Sequence, residues 1–378
     1  MKWLHISDVH YNPKSDGRSS KQLRKNLIKY LKDNNFNVDN VFITGDFRNA
    51  LLQKNEDEHS VACASVEFIK EVSASVGVIN SENIHIVPGN HDLTRDEDCS
   101  KIIGIRKSYN CEKGSFEHGD LEYLIERFHF FNCVENLLHP NNKVWTESLL
   151  PIHQYRCFKT YNLLYLNTAI TCGSDNERNK LVIGNEVLYD CLESIIEENP
   201  DKPIIILAHH GMDNFRDDEK KALEQIFINY PVRLYLCGDA HDAWKRRINE
   251  IMEITMGCLK NDKDVQTVFS IGEIRENGDF SVEAHIWDSK FSNWASYTHF
   301  NNALKKWDIT SQKYHMQAKI ITNSIPFPAT ENFIGRDKDM AIIEKMIQDR
   351  KLITLYAPPG MGLSLIHISE PTRLQLIS

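Results

Sequence analysis

Five short motifs built from aspartate, histidine and asparagine follow one another along this 378-residue chain. In order, they are Asp8-Val9-His10, Gly45-Asp46, Gly89-Asn90-His91-Asp92, Ala208-His209-His210 and Gly238-Asp239-Ala240-His241. Carboxylate oxygens, amide oxygens and imidazole nitrogens are ligands for divalent metal ions. Two such ions about 3.5–4 Å apart need a carboxylate that bridges them. Asp46 is the natural residue for that bridge. The motifs together therefore predict a two-metal hydrolytic site.

Each motif follows an apolar segment that is rich in β-branched residues. The five segments are residues 3–6, 41–44, 84–87, 204–207 and 234–236. Such segments are typical of buried strands, and open α/β sheets place their functional residues at the carboxyl ends of strands. Helical patterns lie between them, with Leu23, Leu27 and Leu31 at four-residue spacing and an apolar face over residues 187–196. Isolated strand histidines such as His5 and His85 are expected to be structural.

The ordered motifs resemble those of the calcineurin-like metallophosphoesterases, whose pattern is DxH, GDxx, GNH[DE], H and GHxH. The resemblance covers roughly residues 1–290 and implies a four-layer α/β/β/α sandwich of two mixed sheets. Carried over residue by residue, it implies a first metal site of Asp8, His10, Asp46 and His241. It implies a second metal site of Asp46, Asn90, His209 and Asp239. His91 would be the general acid, oriented by Asp92.

The activity implied by this resemblance is hydrolysis of a phosphate mono- or diester by a metal-activated hydroxide. The cofactors would be two divalent ions. An aspartate at position 239 departs from the family pattern, which has a histidine there. If Asp239 is a ligand, the extra oxygen favours Mn²⁺ or Mg²⁺ over Zn²⁺, and we expect Mn²⁺, with Mg²⁺, Fe²⁺ or Zn²⁺ as alternatives. If its shorter side chain does not reach, the second metal binds weakly. His210 is the alternative to His209 as ligand.

Residues 1–295 are predicted to form the phosphoesterase domain. Within it, residues 93–150 are an insertion beside His91 that either shapes substrate access as a cap or is a surface elaboration. Apolar runs at residues 251–256, 265–271 and 280–286 are expected to be further strands that complete a second sheet packed on the first. The regular spacing of apolar residues then ends, and residues 296–330 are interpreted as a linker.

A second motif series follows this linker. Phe333-Ile334-Gly335-Arg336-Asp337 precedes a helical pattern, a strand pattern and the segment Ala357-Pro358-Pro359-Gly360-Met361-Gly362. Residues 331–362 resemble the opening of a STAND-type P-loop ATPase, but Leu363 stands where the phosphate-binding lysine belongs. Residues 363–378 resemble a translated sequencing adapter and are interpreted as a non-native tail. ATP binding is therefore expected only in an untruncated parent protein.

Composition narrows the class of protein. The net charge is −9, which gives no overall basic surface for nucleic acid. Nine cysteines without a CxxC pair favour reduced thiols in the cytoplasm, and neither a signal peptide nor a membrane span is evident. We expect the phosphoesterase to be the effector of a bacterial STAND-like defence or signalling protein with nucleic acid or nucleotide as substrate. The alternatives are a protein phosphatase or a non-catalytic scaffold. Oligomeric state is left open.

Overall fold

A computed structural model describes residues 1–305 except 12–16, 50–56, 96–98, 147–148 and 261–264. The strands of this described part are β1 (Lys2–Ile6), β2 (Asn40–Thr44), β3 (Ile84–Val87), β4 (Gln154–Cys157), β5 (Asn162–Leu166), β6 (Ile204–Ala208), β7 (Val232–Cys237), β8 (Trp244–Ile248), β9 (Ile251–Thr255), β10 (Val268–Ile274), β11 (Phe280–Asp288) and β12 (Asn293–Ser296). Its α-helices are α1 (Arg18–Asp33), α2 (Glu58–Ser75), α3 (Ser100–Ser108), α4 (His118–Glu126), α5 (His129–Leu138), α6 (Asn185–Glu198), α7 (Asp217–Ile228) and α8 (Thr298–Lys305). Among these described helices, none combines the length and the apolar character needed to cross a bilayer.

The described strands form two six-stranded mixed sheets. The first has the order β12-β11-β10-β1-β2-β3, with β1, β2 and β3 parallel and β10 antiparallel to β1. The second has the order β4-β5-β6-β7-β9-β8, with a parallel centre and antiparallel edge strands. The parallel strands of each sheet all end toward the motif loops.

Burial explains why these segments are strands and helices. Every residue of β2, β3, β5, β6 and β7 is buried, because one face of each sheet meets the other sheet and the opposite face meets helices. On α1 the buried positions include Leu23, Leu27 and Leu31, and each fully buried leucine contributes roughly 2 kcal/mol. These layers confirm the predicted α/β fold with two mixed sheets.

The later strands differ from the prediction in the sheet that they join. Strand β9 joins the second sheet as expected, but β10 and β11 join the first, where β10 pairs with β1 in the register Leu4↔Ile271. The expectation that all three complete the second sheet is therefore wrong. Gly272 permits this pairing, because a Cβ atom there would lie 2.1 Å from the Trp3 ring.

The folded unit also continues beyond the predicted boundary at residue 295. Helix α8 follows β12, and its Phe300 is only 5% exposed. The Nζ atom of Lys245 donates to the Phe300 carbonyl, which joins α8 to the rest of the domain. The first part of the predicted linker 296–330 is therefore strand and helix. The rest of that linker, residues 331–362 and residues 363–378 lie outside the described residues.

Helices α3, α4 and α5 lie within the insertion at residues 93–150. The aromatic side chains Phe128, Phe130 and Phe131 are fully buried, and α5 packs against α2. Two Nη atoms of Arg127 donate to the carbonyls of Ile170 and Cys172. This part of the insertion is thus a packed component of the domain, and its action as a cap stays a prediction.

Candidate metal centre

The five motifs meet where the parallel strands of both sheets end. Asp8 follows β1 and Asp46 follows β2, and the Asp8 amide donates to the Gly45 carbonyl at 3.2 Å. Across the sheets, the Asp239 amide donates to Asp8 Oδ2 at 3.1 Å. The loops of the two sheets are thereby fastened to each other, which places their polar side chains in one buried cluster.

Backbone strain is concentrated in this cluster. The residues Asp8, His10, Asp46, Asp239 and His241 all have a positive φ, between 44° and 62°. Positive φ is uncommon for residues other than glycine, and residues held in such conformations cost on the order of 1–3 kcal/mol each. The surrounding structure stabilises these conformations, which turn five side chains toward a common centre.

Two motif glycines are required by close approach. A Cβ atom on Gly89 would lie 2.1 Å from Asp46 Oδ1, and one on Gly238 would lie 1.8 Å from Ser7 Oγ and 2.3 Å from Asp8 Oδ2. Each clash would displace a carboxylate of the cluster or the side chain that holds it. These glycines therefore belong to the site although they offer no ligand.

One half of the cluster contains Asp8, His10 and His241, whose ligand atoms all lie within 4.8 Å of one another. The Nε2 atom of His241 is 3.2 Å from Asp8 Oδ1, and the Nε2 atom of His10 is 3.7 Å from the same oxygen. The two Nε2 atoms are 3.1 Å apart. His10 Nε2 is also 3.8 Å from Asp46 Oδ2. The four residues predicted to hold the first metal are thus brought together.

The other half contains Asp46, Asn90 and His209. The Asn90 oxygen lies 3.0 Å from His209 Nε2, and the same amide position is 3.1 Å from both oxygens of Asp46. His209 Nδ1 donates to the Thr44 carbonyl at 2.7 Å, so in the neutral ring the Nε2 lone pair points at this position. Lone pairs from three side chains therefore converge, an arrangement that a divalent cation satisfies.

The Asn90 amide also has an orientation that needs no cation. With the amide reversed, its NH₂ group donates to Asp46 and its oxygen accepts from Arg95 at 2.9 Å. The donor set, which combines carboxylate and amide oxygens with imidazole nitrogens, suits divalent ions. The residues present therefore fit the metals that the fold implies.

Buried carboxylates and imidazoles of the cluster stabilise one another's charged forms. Burial alone raises the pKa of Asp46, but His209, His91 and His10 outweigh it and hold that pKa well below its ordinary value. Burial likewise lowers the pKa of His209, yet the carboxylates of Asp46, Asp8 and Asp239 raise it well above its ordinary value. A bound cation would replace the proton on such an imidazole, because metals bind its neutral form.

Asp239 lies beside both histidines of the Ala208-His209-His210 motif. Its Oδ1 atom is 3.8 Å from each of the two Nε2 atoms, and its Oδ2 atom accepts from Asn214 Nδ2 at 2.9 Å. Burial raises the pKa of Asp239 to about 6, and the charges of Asp8 and Asp46 contribute to that rise, while His209 opposes it. The third carboxylate is thus in the cluster, on the side of the second half.

The position of Asp92 differs from the prediction that it orients His91. Its carboxylate is buried and accepts the backbone N–H groups of Asp46, Phe47 and Gly89, at 2.8, 2.8 and 2.9 Å. Asp92 therefore fixes the loop that carries Asp46. Two carboxylates lie beside His91 Nε2, those of Asp46 and Asp175. Asp175 is not part of any of the five motifs.

Asp175 lies on the loop after β5. Its Oδ1 atom is 3.5 Å from His91 Nε2 and pairs with Nη1 of Arg95. Arg95 in turn donates from Nε and Nη2 to the Asn90 carbonyl, at 3.0 and 2.8 Å. An exposed aspartate in a loop carries no periodic signal, so the sequence pattern could not identify Asp175.

The two isolated strand histidines are buried within the strands β1 and β3 and belong to none of these ligand sets. His5 Nε2 is hydrogen-bonded to Thr44 Oγ1 at 2.9 Å. His85 is hydrogen-bonded to Asn40 and Tyr165, at 2.9 and 2.8 Å. Both are buried residues with partners of their own.

A two-sheet sandwich with acidic and imidazole side chains at its strand ends is the architecture of a metal-dependent phosphoesterase. Residues 1–243 match the sequence model of the family described as calcineurin-like phosphoesterase, and the chain belongs to this family. Residues 1–243 are therefore a metallophosphoesterase domain, and the fold of this family implies divalent metal ions.

The chain is also similar to individual proteins. It is 25% identical over 311 residues to the uncharacterized metallophosphoesterase-like protein YydB of Bacillus subtilis (strain 168), a match that covers 78% of this chain and 61% of the relative. The chain thus spans about three fifths of that relative's length.

Two solved structures resemble it at lower similarity. A dimetal phosphatase from Danio rerio is 12% identical with a TM-score of 0.45, covering 78% of this chain and 98% of that chain. GAP50, the anchor in the inner membrane complex of Plasmodium, is 12% identical with a TM-score of 0.39, covering 78% and 88%.

Proposed function

We propose that this domain is a phosphodiesterase that uses two divalent metal ions. The proposed ligands of the first ion are Asp8, His10, Asp46 and His241, and those of the second are Asp46, Asn90, His209 and Asp239. One observation carries this proposal. The two oxygens of the Asp46 carboxylate face opposite halves of the cluster, with Oδ1 3.4 Å from His209 Nε2 and Oδ2 3.8 Å from His10 Nε2. A carboxylate in this position suits a bridging ligand.

When bound, the two ions activate a water molecule and stabilise the charge that develops on the phosphoryl group. His91 is the proposed general acid. Its side chain is 15% exposed at the mouth of the cluster, so its Nε2 atom can reach a leaving oxygen. Burial lowers the pKa of His91 to about 4, and the charges of Asp46 and Asp175 oppose that shift because they stabilise the protonated ring.

The number of carboxylates favours a diester over a monoester. Three carboxylates, those of Asp8, Asp46 and Asp239, leave one net positive charge on a pair of divalent ions. A phosphodiester carries one negative charge near neutral pH, whereas a monoester carries about 1.5 to 2. Arg95, a cation beside the cluster, is already paired with Asp175. The charge of the site therefore matches the singly charged substrate.

A substrate panel on the full chain with Mn²⁺ tests this proposal. The panel contains bis-p-nitrophenyl phosphate, p-nitrophenyl phosphate, single- and double-stranded DNA, RNA and cyclic nucleotides. We expect faster hydrolysis of the diester than of the monoester, and no turnover by Asp46→Asn. Preference for the monoester would indicate a phosphatase. Absence of both turnover and metal binding would indicate a scaffold.

We further propose that the natural substrate is a nucleic acid or nucleotide and that the domain is the effector of a STAND-like protein. The support is the motif series at residues 331–362, which is sequence information alone. Because Leu363 replaces the phosphate-binding lysine, titration of this chain with ATP and Mg²⁺ should show no micromolar binding. Such binding, lost on deleting residues 331–378, would contradict this interpretation.

A further inference from the structure

We propose that His210 is a ligand of the second metal ion, so that both histidines of the Ala208-His209-His210 motif bind it. This inference rests on the two-metal centre proposed above. It concerns the position where the chain departs from the family pattern, which has a histidine at 239. The aspartate there removes one imidazole from the second site, and His210 lies where it can replace that nitrogen.

The geometry joins His210 to the cluster. The ligand atoms of His209, His210 and Asp239 all lie within 4.8 Å of one another. Asp239 Oδ1 is 3.8 Å from Nε2 of each histidine. Both imidazoles are completely buried, and their ring planes are nearly perpendicular, at 82°, with centroids 4.7 Å apart. Two nitrogens and one oxygen therefore lie close enough together to bind one ion.

In each of these three side chains, the second polar atom has a hydrogen-bonding partner. His209 Nδ1 donates to the Thr44 carbonyl, and Asn214 donates to Asp239 Oδ2. His210 Nδ1 is 2.9 Å from Thr168 Oγ1, which also accepts the His210 backbone N–H at 3.0 Å. Metal-binding histidines usually have such a partner on the second ring nitrogen, which orients the ring. The arrangement leaves the two Nε2 atoms and Oδ1 for the ion.

A packing role for His210 is the competing explanation. Its Nε2 atom lies 3.4 Å from the Sγ atom of Cys172, a weak hydrogen-bonding partner. If His210 only packed, its removal would destabilise the fold and leave metal affinity unchanged. If His210 is a ligand, the second site has two nitrogen donors, one from His209 and one from His210. Nitrogen donors favour transition metals over Mg²⁺.

Metal titration of the full chain distinguishes the two roles. Equilibrium dialysis with Mn²⁺ should give about two ions per wild-type chain. We expect His210→Ala to retain one ion at wild-type affinity and to weaken the other by at least roughly tenfold. The matched control is His85→Ala, which removes another buried, hydrogen-bonded histidine and should bind both ions normally. Wild-type affinity for both ions in His210→Ala would overturn the proposal.

Two further variants make the result decisive. Thr168→Val removes the hydroxyl that orients His210 but keeps the ring, and we expect it to weaken one ion roughly tenfold. If His210→Ala does not fold, unchanged affinity in Thr168→Val overturns the proposal. Asp46→Asn separates the two inferences, because it should impair both sites. If Asp46→Asn still bound two ions normally, Asp46 would be excluded as the bridge of the proposed two-metal centre, whatever the result for His210.

Discussion

Replacing Asp175 by asparagine tests which carboxylate supports His91 as a proton donor. The substitution keeps the size of the side chain and removes a negative charge 3.5 Å from His91 Nε2. Because 74% of the Asp175 side chain is exposed, the dielectric constant of water applies to this pair. In water, two unit charges at this distance interact by about 1 kcal/mol. The protonated form of His91 should therefore become roughly fivefold less stable relative to the neutral ring.

The assay compares two diesters that differ only in their leaving group, one a p-nitrophenyl ester and the other an alkyl ester. A general acid matters most when the leaving oxygen is basic. We therefore expect kcat/KM of Asp175→Asn to fall roughly fivefold on the alkyl ester and to change little on the nitrophenyl ester. Mn²⁺ stoichiometry and Tm should stay at wild-type values, because Asp175 is exposed and is no proposed ligand.

An increase of kcat/KM on both esters would refute this reasoning. It would show that Asp175 repels the substrate phosphate more than it supports His91. His91→Ala sets the upper limit of the effect. A loss that depends on the leaving group in Asp92→Asn, but is missing in Asp175→Asn, would instead restore the orienting role that the motif predicts for Asp92.

Substitutions at three positions, Asp46, Asp239 and Asp92, test the cluster further. Asp46→Asn should abolish turnover and reduce bound metal while the circular dichroism spectrum is unchanged; wild-type turnover would exclude Asp46 as the bridge. Asp239→Ala should lower Mn²⁺ stoichiometry from about two to about one, and Asp239→His should shift preference toward Zn²⁺, whereas unchanged stoichiometry in the alanine variant would exclude Asp239 as a ligand. Asp92→Asn should reduce the free energy of unfolding in urea by about 2–3 kcal/mol, because its carboxylate accepts three buried backbone N–H groups; a change below about 0.5 kcal/mol would contradict that role.

Burial explains which strands could be predicted from sequence. In β2, β3 and β6 every residue is buried, so a short run of mainly apolar residues marks each strand. Strands β10 and β11 were expected as strands but in the wrong sheet. The spacing of apolar residues indicates which residues of a strand are buried. It does not indicate which other strand will be its neighbour, because that depends on backbone pairing.

The ligand types of the candidate site were predictable, and the residues that arrange them were not. The motifs name Asp8, Asp46 and Asn90 because each lies two or three residues after the end of a strand. Asp175 reaches His91 from a loop 84 positions later in the chain, and Thr168 reaches His210 from 42 positions earlier. Such contacts depend on how loops from different strands meet, and no local periodicity encodes them.

The cluster draws its side chains from both sheets. Asp8, Asp46 and Asn90 follow strands of the first sheet, and His209 and Asp239 follow strands of the second. An ion held between them would act as a cross-link that closes the sandwich at one end. By mass action, free metal at 100 times its dissociation constant stabilises the folded state by about 2.7 kcal/mol per site. Metal supply in the cell would then govern the lifetime of the folded protein as well as its turnover.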